Sequence, residues 1–123
     1  MQRILAIVLG SLAVCGAHAT EMFSPGLPAS SEQPLACRIV NVSKVNQVVT
    51  SQAVDGAGGI VSAVYNELLK PGEAGGFSVA GSEASVHCRF IVSGARSDFR
   101  ASIEVFEVTS AGNFRIVAAL PAN

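Results

Sequence analysis

The sequence predicts an all-β protein: a two-sheet antiparallel β-sandwich of about seven short strands, held by one disulfide. Three observations carry this expectation. Between residues 35 and 120 the chain divides into short alternating runs, separated by Gly-rich and polar stretches of hairpin length. No window keeps apolar residues at helical spacing over several turns. Cys37 and Cys88 both fall on the apolar face of their runs, where a bridge between two sheets would place them.

The elements follow in order. Residues 1–19, MQRILAIVLGSLAVCGAHA, read as a secretory signal peptide of bacterial style. Arg3 precedes an apolar run from Ile4 to Ala13, and Ala17-His18-Ala19 is an A-x-A cleavage site. The run is about half as long as a membrane-spanning helix, and no second apolar stretch of that length follows, so no membrane span is expected. Cleavage after Ala19 removes Cys15 and His18 and sends a soluble chain to the periplasm or the exterior. The alternative is a lipid anchor: Leu12-Ala13-Val14-Cys15 has the outline of a lipobox, with Val14 where Gly, Ala or Ser is usual. Residues 20–34, TEMFSPGLPASSEQP, are rich in Pro and Ser and read as a flexible leader. Residues 35–123 form the single domain.

Within the domain, LACRIVNV (35–42) is the first run and VNQVVTSQAV (45–54) the second. Asp55-Gly56-Ala57-Gly58-Gly59 tolerates positive φ and marks a hairpin turn leading to GIVSAVYN (59–66). Pro71-Gly72 is a turn, after which GGFSVAG (75–81) reads as an edge or bulged strand because of its glycines. ASVHCRFIV (84–92) places Val86, Cys88, Phe90 and Val92 on one face and His87, Arg89 and Ile91 on the other. After a turn at Ser93–Asp98, FRASIEVFEV (99–108) sets Phe99, Ala101, Ile103 and Val105 against Arg100, Ser102 and Glu104. A bulge near 105–107 would decide which way Phe106 faces. A turn at Ser110–Asn113 and the closing run FRIVAAL (114–120) complete the set.

This plan resembles the small immunoglobulin-like or fibronectin-III-like domains of bacterial exported proteins. Cys37 in an early strand and Cys88 in a late one are placed like the immunoglobulin bridge. Leu69-Lys70-Pro71-Gly72-Glu73 looks like the L-x-P-G turn common before a sandwich strand. The core Trp is absent, and Val86 stands where the tyrosine-corner Tyr would be. The resemblance implies an architecture and no activity.

Charge and cysteine content narrow the function. Loss of Arg3 with the signal peptide takes the formal net charge of −1 down by one, with no charge run. Nucleic acid and anionic membranes are therefore not expected partners. Cys37 and Cys88, the only cysteines after cleavage, are expected to pair in an oxidising compartment. Across the 51 positions between them, loop-closure entropy is worth about 4 kcal/mol. His87 adds too little to make a zinc site, and no metal or other cofactor is expected. Asn41-Val42-Ser43 is a glycosylation sequon.

His87 is the one histidine of the mature chain. If the 93–98 turn made a symmetric hairpin, His87 would face Glu104, Arg89 would face Ser102, and Arg100 would lie beside them, with Arg38 a strand away. That face is the candidate binding site: His87, Arg89, Arg100 and Glu104, suited to an anion or a glycan. Its ordinary reading is a solvated sheet face stitched by cross-strand pairs. No nucleophile stands in a recognisable setting: Gly76-Phe77-Ser78-Val79-Ala80 lacks the second Gly and the helix of a nucleophile elbow. No catalytic residue is therefore assigned. The leading expectation is a non-enzymatic structural or interaction domain with an unidentified protein partner; a small-ligand or glycan-binding module is the alternative.

Overall fold

The computed structural model describes residues 19–26, 33–79 and 85–123. Apart from Ala19, the segment read as a signal peptide lies outside these ranges, as do the lipobox outline and residues 27–32 of the segment read as a leader. Eight strands are present: β1 (Thr20–Phe23), β2 (Leu35–Asn41), β3 (Gln47–Asp55), β4 (Tyr65–Leu69), β5 (Ala74–Val79), β6 (Val86–Val92), β7 (Phe99–Val108) and β8 (Phe114–Pro121). They form two antiparallel four-stranded sheets, ordered β1-β6-β3-β4 and β5-β2-β7-β8. The sandwich expected from the sequence is the one found, with one strand more.

Alternation builds the core. On β6, Val86, Cys88, Phe90 and Val92 are buried, while His87, Arg89 and Ile91 are partly exposed. On β7, Phe99, Ala101, Ile103 and Val105 point inward in the same way. Leu35, Cys37 and Ile39 of β2 and Val49 and Ala53 of β3 complete the interface between the sheets. Phe90 and Phe99 are its largest fully buried side chains. Cys37 and Cys88 are bonded across it, one from each sheet, with Cα atoms 5.7 Å apart.

Three parts of the sequence reading need correction. Thr20–Phe23, read as leader, is strand β1 and pairs along β6 from Thr20↔Val92 to Phe23↔Arg89. Its Met22 is 3% exposed and plugs the core, which is reason enough for a short polar segment to order. Beyond it the Ser24 hydroxyl accepts from the Cys88 amide at 2.8 Å. The run 59–66 is not a strand along its length. Only Ile60 bridges to Val54, and pairing resumes at Tyr65 to give β4, which extends to Leu69, the first residue of the segment read as a turn. The Asp55–Gly59 turn itself forms as expected, with the Asp55 carboxylate accepting from the Ala57 and Gly59 amides.

The third correction concerns the passage from β6 to β7. Ser93–Asp98 is a crossover between sheets rather than a hairpin, so β6 ladders with β1 and β3 while β7 ladders with β2 and β8. A short 3₁₀ turn at Arg96–Asp98 makes the crossing. Its ends are tied by the Asp98 amide donating to the Ala95 carbonyl and the Ala95 amide donating to the Asp98 carboxylate, both at 3.0 Å.

Two polar devices fix the chain reversals. Asn41 is fully buried at the end of β2, and its Nδ2 donates to the carbonyls of Val45 (2.8 Å) and Leu69 (2.9 Å). Its Oδ1 accepts from the Ser43 amide and hydroxyl. The sequon asparagine is thus committed to structure. Across the sandwich edge, Glu67 of β4 accepts from the Gly76 amide of β5 at 2.8 Å. Tyr65 stacks on Phe77 beside it, ring centroids 4.7 Å apart.

Candidate functional site

The crossover separates the four residues that a hairpin would have gathered. His87 and Arg89 lie on the outer face of the first sheet; Arg100 and Glu104 lie on the outer face of the second. They do not form one surface. A six-residue connection with no Asn-Gly, Asp-Gly or Gly-Gly pair was the available warning, because tight hairpins favour those dipeptides.

On the first sheet, Arg89 donates through Nη2 to the Glu21 carboxylate of β1 at 2.6 Å. Its guanidinium sits 5.9 Å from the Phe23 ring centroid, and that ring tilts against His87 at the same centroid separation, 5.9 Å. These contacts dock β1 onto β6. Arg89 Nε and Gln52 Oε1 are both buried without a partner among the described residues, on residues that face each other across β6 and β3. His87 therefore belongs to a strand-docking cluster.

On the second sheet, Arg38 of β2 lies opposite Ser102 and diagonal to both Glu104 and Arg100 of β7. It leans toward Glu104, with Nη1 3.6 Å from Oε2, close enough for charge attraction and too far for a hydrogen bond. Arg100 donates to the Phe99 carbonyl at 2.9 Å. From the crossover turn, Arg96 donates to the Glu21 carbonyl at 3.2 Å. These groups border an open groove of about 920 Å³. Beside the long arginines stand short side chains: Ser102 opposite Pro121, and Ala119 opposite Glu104. That contrast in length makes the depression. Arg96 and Arg38 were not among the residues first assigned to the site.

A second surface lies at the end of the same sheet. β2 pairs with β7 only as far as Leu35↔Val105, and the Phe106 amide donates to the Pro34 carbonyl just beyond. Past that point the β7–β8 hairpin overhangs. The expected irregularity is there, as a register shift between Val105 and Phe106, and Phe106 is left half-buried. Val108, Phe114, Ile116 and Val117 are exposed by 55, 66, 52 and 42%. β8 is the edge of its sheet, and its one charge, Arg115, is ion-paired to Glu107 of β7.

Among the described residues no group of three or more His, Cys, Asp and Glu side chains is placed to hold a metal, and no helix is long and apolar enough to cross a membrane. No family model and no curated protein matches the chain. Among solved structures it is similar to the crystal structure of Thermotoga maritima 1070, with a TM-score of 0.58 at 7% identity, over 87% of this chain and 95% of that one. At that identity the likeness is one of fold alone.

Proposed function

We propose that this chain is an exported interaction domain, with no catalytic step of its own, that binds a protein partner along the free edge of β8. One observation carries the reading: an edge strand with three exposed apolar side chains, Phe114, Ile116 and Val117, whose single charge is already neutralised. Natural edge strands are usually guarded by unpaired charge, proline or cover; the proline of β8 stands only at its far end, Pro121, and residues 114–120 carry neither proline nor unpaired charge, which leaves that stretch a template for strand addition. The fitting partner is an extended segment with apolar residues at alternate positions, which would add its backbone hydrogen bonds to those of the sheet. The Cys37–Cys88 bridge is compatible with an oxidising, exported location.

Site-specific photo-crosslinking in the producing cells tests this. A photoreactive residue at Val117 should give a discrete crosslinked product that Ile116→Lys removes. The control is Leu68, which is equally apolar and 60% exposed but lies on the edge strand of the other sheet. No product from position 117, or the same product from both positions, would rule out the β8 edge.

A further inference from the structure

We propose that the groove on the outer face of the second sheet binds an organic acid, with an oxyanion head on Arg96 and Arg100 and an apolar body along Val40, Ala119 and Pro121. The inference is independent of the β8 edge. It starts from how the arginines are distributed. Of those described, Arg38, Arg89 and Arg115 are each ion-paired, to Glu104, Glu21 and Glu107. Arg96 and Arg100 form no ion pair with any described carboxylate, and both line this one groove.

Each of the two is also oriented before any ligand arrives. Arg96 spends one N–H on the Glu21 carbonyl and Arg100 one on the Phe99 carbonyl. A guanidinium has five N–H donors in a planar fork, so donors remain for a planar oxyanion. Side chains already held lose less freedom on binding. The acidic side chain that shares the groove, Glu104, has Arg38 beside it, so the charged side chains of the lining, Arg38, Arg96, Arg100 and Glu104, carry a net positive charge. At about 920 Å³ the groove falls in the size range that takes a whole small molecule. A hydrophilic dianion would leave the apolar stretch uncovered. An amphiphilic acid matches both halves.

Carboxylate and phosphate heads share this chemistry, and the experiment separates them. The ¹⁵N-labelled whole chain is titrated with octanoate, octyl phosphate and octanol, with amide shifts as the readout. Octanoate or octyl phosphate should give saturable shifts in residues 96–102 and 118–122, the tighter of the two naming the head group; octanol should give none. In the Arg96→Ala/Arg100→Ala variant the affinity should fall at least tenfold, with an unchanged unfolding midpoint confirming the fold. Shifts from octanol at the same amides would overturn the proposal. So would the absence of saturable binding, shifts confined to residues 114–117, or an affinity that the double substitution leaves intact.

Discussion

Replacing Gly76 by Ala should be among the most damaging single-methyl additions in this protein. Gly76 sits in β5 opposite Arg38 with φ +126°, a conformation that side-chain-bearing residues rarely adopt. A Cβ there would stand 1.9 Å from the Cys37 carbonyl oxygen and 3.0 Å from the Arg38 Cα. Those atoms are backbone of the strand that carries the disulfide, so they cannot simply rotate away. Relief requires turning the Gly76 peptide, which forfeits its bond to Glu67, or separating β5 from β2. A hydrogen bond to a charged group is worth about 1.5–3 kcal/mol, and the backbone strain adds roughly 1–2 kcal/mol. The expected loss is therefore about 2.5–5 kcal/mol. Urea unfolding followed by far-UV circular dichroism reads it, as a midpoint lowered by about 1–5 M over the slopes usual for small domains. Gly72→Ala supplies the comparison, because φ is +80° there but no atom lies within 4 Å of the added Cβ. It should cost about 1 kcal/mol. If the two variants unfold within about 0.5 kcal/mol of each other, the clash argument fails.

Three further outcomes are expected from the same unfolding assay. Cys88→Ser should cost about 2–5 kcal/mol, and a wild-type midpoint would mean that the bridge does not form. Asn41→Ala strips a donor from the buried Leu69 carbonyl, another from the Val45 carbonyl, and an acceptor from Ser43; it should cost about 2–4 kcal/mol, and a loss below about 1 would show that these groups find other partners. Arg89→Ala should cost less than about 1 kcal/mol, because its pair with Glu21 is solvent-screened; a larger loss would move the weight to its buried Nε and the facing Gln52.

Strand content was more legible than strand neighbours. Alternation in 84–92 and 99–108 identified the inward faces of β6 and β7, because a half-buried strand sorts apolar from polar side chains at every step. The same alternation is satisfied whether the two strands pair in one sheet or face each other from opposite sheets. That ambiguity dissolved the cluster of His87, Arg89, Arg100 and Glu104. Thr20–Phe23 escaped notice because one buried side chain, Met22, and a docking pair, Glu21–Arg89, are too small a signal beside the prolines that follow. The groove had no signature either. Its cations come from β2, a turn and β7, and its floor from short side chains that no motif marks. Phe114, Ile116 and Val117 read as an ordinary closing strand, and only the overhang past β2 shows that nothing described covers them.

The order in which strands join has a consequence for how the chain must be made. Only the β3–β4 and β7–β8 ladders connect strands that are neighbours in sequence with both in one sheet. A polypeptide emerging from its N-terminus can finish the first sheet only once β6 has appeared, and the second only once β8 has. At roughly 5–20 residues per second, Cys37 waits about 3–10 s for Cys88, its partner 51 positions later. Through that interval Leu35, Ile39 and Val49 have no opposing layer, and the reduced Cys37 thiol has no intended mate.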